Sequence, residues 1–186
     1  MPNSLIAKRY AKALFGLALE MNVVEETKAD MELIMSVCLS NKDFTQLLKS
    51  PVIRSEKKNN VIRAIFNDKI SELSMRYLNI ITRKKREIFI NQIAEEFIFA
   101  YKKFKNIFTI YFASATAIND EIRKKVITLL EDQTKGTVEL VEEVKEELVG
   151  GFVMNYDDYK YDASIAYQLK KLIKGSAEIN LFKREY

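Results

Sequence analysis

Residues 148–172 read Leu-Val-Gly-Gly-Phe-Val-Met-Asn-Tyr-Asp-Asp-Tyr-Lys-Tyr-Asp-Ala-Ser-Ile-Ala-Tyr-Gln-Leu-Lys-Lys-Leu, and the fold of the whole chain is decided by how they are read. Adjacent Gly150 and Gly151 permit backbone angles and close approaches that a Cβ forbids, and the apolar Phe152, Val153 and Met154 behind them fit a short buried strand. Asn155 to Lys160 is rich in turn formers. Asp162 then stands where it can cap a helix whose apolar positions Ile165, Leu169, Leu172 and Ile173 recur at helical spacing. The stretch predicts strand, turn, helix.

Working outward from it, the preceding segment keeps the period of two. Val138 to Val144 alternates apolar with polar residues, and Ile107 to Ser114 is a run of β-branched and aromatic residues; both predict strands. Between them Asn119 can cap an acid-first helix, Asp120 and Glu121 followed by apolar Ile122, Val126, Leu129 and Leu130, which Gly136 closes. Residues 106–186 therefore predict a small α+β domain, a short sheet with helices against it.

Before Lys105 the period is 3.6 and breakers are scarce: the first 105 residues contain only Gly16, Pro2 and Pro51. Ser4 is a plausible cap for a first helix with an apolar stripe of Ile6, Tyr10, Ala13, Leu14, Leu17, Ala18 and Met21. The other side of that helix carries Ala7 and Ala11, small enough for another helix to approach closely. Asn22 can cap a second helix that buries Val24, Met31, Ile34, Met35 and Cys38. Asn41 to Lys49 is a third, ended before Pro51 because the residue ahead of a proline disfavours the helical region. Ser55 caps a fourth with Val61, Ile62, Ile65 and Phe66 inward, Ile70 begins a fifth with Leu73, Tyr77, Leu78 and Ile81, and a sixth runs from about Glu87 to Phe104. The fold class predicted is α+β overall: an N-terminal six-helix antiparallel bundle over 1–105, then the small α+β domain over 106–186.

Composition narrows the functions. With no His and a single Cys, Cys38, the chain lacks the commonest general base and metal ligand and can form neither an internal disulfide nor a thiolate zinc cluster. No cofactor and no metal are expected. Residues 1–105 hold 19 Lys/Arg against 12 Asp/Glu, and residues 106–186 hold 11 against 14, so the halves carry +7 and −3 and invite different partners. The longest uncharged run, Asn106 to Asn119, is 14 residues, short of the roughly 20 apolar residues of a spanning helix. Arg83-Lys84-Lys85-Arg86 admits a nucleic-acid or anionic-lipid patch, but a basic run at a helix C-terminus is favoured by the macrodipole alone. Glu142, Glu143, Glu146, Glu147, Asp157 and Asp158 show neither a calcium loop nor a paired acid and base and read as a solvated face.

The segment around the Gly-Gly pair resembles the C-terminal signature of the delta subunit of F-type ATP synthases, the bacterial counterpart of the mitochondrial oligomycin-sensitivity-conferring protein. Val138, Leu140, Val144 and Leu148 lead to Gly150-Gly151, an apolar strand follows, and Asp162 and Ser164 match the Asp-x-Ser helix entry. Ala7-Lys8-Arg9-Tyr10-Ala11-Lys12-Ala13-Leu14-Phe15 is similar to the family's Ala-x-x-Tyr-Ala-x-Ala-Leu-Phe opening, and Arg86 stands where the family has an Arg between its fifth and sixth helices. Ala166 to Gln168 replaces the family's Arg-Gly-Arg, so no role of those arginines carries over.

The resemblance implies a non-catalytic peripheral-stalk subunit that links the catalytic head to the stator during proton-driven ATP synthesis, peripheral on the cytoplasmic face of the bacterial inner membrane. It implies that the N-terminal domain receives the N-terminal helices of alpha subunits in a groove at Tyr10, Ala13, Leu14, Phe15, Leu78, Ile81 and Arg86. It further implies that the C-terminal domain, with Gly150, Gly151, Asp162 and Ser164, engages the C-terminal helices of b subunits. A basic nucleic-acid-binding module is the alternative that the +7 half leaves open.

Overall fold

Apolar residues three and four apart between Leu5 and Phe104 generate six helices, α1 (Leu5–Glu20), α2 (Val24–Ser40), α3 (Lys42–Lys49), α4 (Ser55–Phe66), α5 (Glu72–Arg83) and α6 (Ile90–Phe104), with a single 3-10 turn at Glu87–Phe89. The computed structural model describes residues 5–116, 118–156 and 159–171. Ser4, Leu172 and Ile173 lie outside the described residues, as do Asp157 and Asp158. The chain divides into two compact units, Met1–Lys105 and Asn106–Tyr186, and its class is α+β.

The first unit is built around one apolar cluster in which Leu14, Met31, Ile34, Ile62, Phe66 and Phe97 are fully buried. Each such side chain contributes on the order of 2 kcal/mol by its removal from water. Two T-shaped ring contacts, Phe44–Phe66 at 5.9 Å and Phe15–Phe97 at 5.5 Å between centroids, add geometry to the burial.

The helix that departs from its sequence reading is α1. Its buried residues are Ala7, Ala11, Leu14 and Ala18: Leu14 and Ala18 belong to the predicted stripe, Ala7 and Ala11 to the side expected to admit another helix, and the helix packs chiefly against α6. Alanines let two helix axes approach closely, because the side chains at the contact set the interaxial distance. The bulkier stripe is therefore displaced outward: Leu17 and Met21 are exposed, and Ile6 and Tyr10 are half-buried.

Helix ends are closed by local chemistry. Asn22 does not cap α2. It takes a left-handed φ of 56° after α1, while the N–H of Val23 donates to the carbonyl of Ala18 at 3.0 Å, which closes α1 in a Schellman turn. Ser55 is the first residue of α4, whose cap position is Arg54 without a side-chain bond, and Ser71 rather than Ile70 opens α5. Asn41 and Asn119 do cap, accepting from the N–H groups of Phe44 (3.0 Å) and Ile122 (2.8 Å).

In the second unit β1 (Ile107–Ser114), β2 (Thr137–Val144), β3 (Phe152–Tyr156) and β4 (Tyr159–Asp162) make a four-stranded sheet of order β2-β1-β3-β4, with helix α7 (Asp120–Thr134) between β1 and β2 in the chain. Strands β1 and β2 are parallel and joined through α7, and β1–β3 and β3–β4 are antiparallel. Period two shows in β1, where Ile110 and Phe112 are buried on either side of exposed Tyr111. Phe112 stacks on Phe152 at 5.2 Å across the β1–β3 pair. The segment from Asn155 to Lys160, expected as a turn, is largely strand: Asn155 pairs with Lys160 and Tyr156 with Tyr159.

Candidate docking groove and C-terminal signature

The outward stripe of α1 forms one wall of a recess. Ile6, Arg9, Tyr10 and Ala13 line it from the helix, and Arg86 lines it from the link that follows α5, around a volume of about 310 Å³. Arg86 is held in position by its own backbone. Lys84 ends α5, Lys85 takes a left-handed φ of 55°, and the N–H groups of Lys85 and Arg86 donate to the carbonyls of Thr82 and Ile81, each at 3.0 Å. The Arg83–Arg86 run thus closes a helix C-terminus, where cations are favoured.

Tyr77 of α5 is a neighbour of Tyr10. Burial, and secondarily the neighbouring Tyr10 phenol, push the Tyr77 hydroxyl far above the usual range, so it stays protonated. That hydroxyl has no hydrogen-bond partner among the described residues.

The residues expected to share the groove are divided by the structure. Tyr10, Ala13 and Arg86 come together at the recess. Leu14, Leu78 and Ile81 are buried in the apolar cluster and offer no surface. Phe15 is half-buried, its ring edge-on to Phe97 and, at 5.7 Å, to Phe104. Arg9 and Ile6 were legible only in part: Ile6 belongs to the apolar stripe, and Arg9 lies in the first half of α1, the end of a helix where a cation is electrostatically disfavoured.

The C-terminal signature is a structural joint. Gly151 has φ +78°, and a Cβ there would run into the carbonyl oxygen of Ala163. Around it the N–H of Ile165 donates to the carbonyl of Gly150 (3.0 Å) and that of Ala163 to Phe152 (2.9 Å). The helical residues 165–171 are capped by Ser164, whose Oγ accepts from the N–H of Tyr167 at 3.2 Å, and not by Asp162 directly. Asp162 holds the cap instead: its Oδ1 accepts from the hydroxyl (2.6 Å) and the N–H (3.1 Å) of Ser164, which keeps its carboxyl below the usual range. Ser164 is buried.

Among the described residues no group of three or more His, Cys, Asp or Glu is placed to hold a metal ion, and no helix is long and apolar enough to cross a membrane. What this arrangement offers is a recess lined by apolar Ile6, Tyr10 and Ala13 and by two cations, Arg9 and Arg86. The sequence model described as "ATP synthase delta (OSCP) subunit" matches residues 6–175. The chain is 31% identical over 172 residues to ATP synthase subunit delta of Cytophaga hutchinsonii, covering 92% of this chain and 94% of that one. It is also 31% identical over 173 residues to the same subunit of Parabacteroides distasonis, covering 93% and 96%. A chain in the cryo-EM structure of the Toxoplasma gondii mitochondrial ATP synthase hexamer shares the fold, with a TM-score of 0.75 at 21% identity over 94% of this chain and 98% of that one. This chain belongs to the ATP synthase delta (OSCP) subunit family, and it is a non-catalytic, peripheral-stalk component of the synthase.

Proposed function

We propose that α1 to α6 act as an antiparallel six-helix bundle, the N-terminal domain of residues 1–105, whose recess at Ile6, Tyr10, Ala13 and Arg86 receives the N-terminal helix of an alpha subunit. The supporting observation is the outward apolar stripe of α1 beside that recess. An amphipathic helix laid along it buries apolar area worth about 25 cal/mol per Å² before the cost of ordering. Residues 106–186 form the C-terminal domain, which takes the C-terminal helices of the b subunits. Exposed Leu129, Val141, Val144, Tyr167 and Leu169 give it apolar surface, and Gly150, Gly151, Asp162 and Ser164 shape it from within. With both ends engaged the subunit ties the catalytic head to the stator and resists rotation. It sits peripherally on the cytoplasmic face of the bacterial inner membrane, held there through the complex.

The test is calorimetric titration of the full chain with a synthetic peptide of the alpha subunit's N-terminal helix. Ala13 is exposed, so Ala13→Asp should abolish binding with an unchanged circular dichroism spectrum. Peptide affinity that survives Ala13→Asp removes α1 from the groove.

A further inference from the structure

The charges on α1 run against the helix that carries them. Lys8, Arg9 and Lys12 occupy its first half, and its acid, Glu20, is its last residue. A helix macrodipole favours anions at the N-terminus and cations at the C-terminus, so both ends are disfavoured as they stand. Arg9, moreover, shares one recess with Arg86, brought there from the other side by the Schellman turn after α5. Like charges that line one recess disfavour each other unless an anion joins them. Arg76 and Arg123 have such partners, Glu72 at 2.5 Å for the first and Asp120 and Glu142 for the second. Among the described residues neither Arg9 nor Arg86 has a carboxylate within ion-pair distance.

We infer that the Arg9–Arg86 end of the recess receives a carboxylate carried by the docked helix, so that the groove selects an amphipathic partner with an acidic residue beside its apolar stripe. This rests on the groove reading above and specifies its polar contact. Guanidinium forks match carboxylates bidentately, and Ile6, Tyr10 and Ala13 supply an apolar wall suited to a side chain of a helix rather than to a hydrated phosphate. The charge pair fixes where along the stripe the partner helix stops and adds salt-sensitive affinity.

The experiment titrates the full chain with the alpha-subunit N-terminal peptide, and with a copy whose Asp and Glu are changed to Asn and Gln, at low and high salt. The expected result is that Arg9→Gln/Arg86→Gln weakens the native peptide roughly five- to tenfold at low salt. The same substitutions should flatten the salt dependence and leave the amide peptide's affinity unchanged. If the double variant binds the native peptide as the parent does, with the same salt slope, the carboxylate contact is overturned while the groove stands. The contact is equally overturned if the two arginines govern binding to vesicles of anionic lipid and not to peptide. If the unsubstituted chain binds neither peptide, the groove reading itself fails and this inference with it. Gln at both positions keeps the stems of two exposed side chains, so folding is preserved and is checked by circular dichroism.

Discussion

Lys58 of α4 and Glu87 of the 3-10 turn before α6 form an ion pair inside the helical unit: Nζ lies 2.6 Å from Oε1, with 3% and 10% of the two side chains exposed. The ammonium also donates to the carbonyl of Leu48 at 2.8 Å, so the one cation ties α3, α4 and the turn into α6 together. The second carboxylate oxygen of Glu87 has no partner among the described residues. A pair of this kind offsets its own desolvation and little more, but half of it cannot remain alone in the interior.

Lys58→Met should therefore destabilise the protein by about 3 kcal/mol, lowering its melting temperature by roughly 10 °C or more. Lys58→Met/Glu87→Leu should recover most of that loss, because two apolar groups of similar volume need no compensation. Thermal unfolding of the two variants beside the parent decides it. A double variant no better than the single one would mean that the pair specifies the packing rather than merely satisfying itself.

That pair marks where sequence reasoning stopped. Single charged residues in helices read as solvated, and nothing in the spacing of Lys58 and Glu87, 29 residues apart, distinguishes them from surface neighbours. The reverse held where periodicity had no rival. Ile107 to Ser114 is β1 to the residue, Asn119 caps α7, and Met31, Ile34 and Cys38 are buried on α2 as expected, joined there by Thr27 and Asp30, while Val24 and Met35 are half-buried. Helix α1 had two candidate faces, and hydrophobicity favoured the bulky one although close packing against α6 selected the alanines. Leu14, Leu78 and Ile81 are buried, whereas Ile6, just ahead of the motif, and Arg9, at one of its variable positions, line the recess. Strand β4 escaped because the stretch from Asn155 to Lys160, with Asn155, Asp157 and Asp158 in it, reads by composition as a turn, whereas Asn155 and Tyr156 of β3 pair with Lys160 and Tyr159 of β4.

The two adjacent glycines of the C-terminal signature should differ in their tolerance of a methyl group. A Cβ on Gly151 would need a positive φ and would meet backbone, the Ala163 carbonyl. On Gly150 it would meet only the end of the Ile165 side chain, which can rotate away. Gly151→Ala is expected to destabilise the second unit by about 2 kcal/mol and Gly150→Ala by less than ~1 kcal/mol. Hydrogen exchange at the amides of Phe152–Tyr156 reads the difference, and equal protection in the two variants would refute it.

Cys38 is buried at the end of α2, and loss of water from around it pushes its thiol up to about 11. At pH 8 almost none of it is thiolate. An aromatic disulfide reagent should thus react with the native protein only as fast as the helical unit opens, and at once in denaturant. Rapid stoichiometric labelling of the folded chain at pH 8 would show that the α2–α3 corner opens readily in solution.

Glu25 at the start of α2 receives Lys105 Nζ at 2.7 Å and the hydroxyl of Tyr101 at 2.5 Å, joining the first turn of α2 to the end of α6. Lys105 first, then Tyr101, hold its carboxyl below the ordinary 4.5. Because the folded chain binds this proton less readily than the unfolded chain, the contribution to stability is whole above pH 4.5 and is lost as the pH falls through the lower folded value. Glu25→Gln should therefore melt below the parent at neutral pH, and the gap should narrow steadily once the pH drops under 4.5, vanishing when both chains carry a neutral side chain at this position. Lys105 and Glu25 are both partly in water, so the neutral-pH gap should also shrink in high salt. Melting curves of the two proteins across pH 3 to 7 give the result. A gap independent of pH would assign the stabilisation to the shape of residue 25 rather than to its charge.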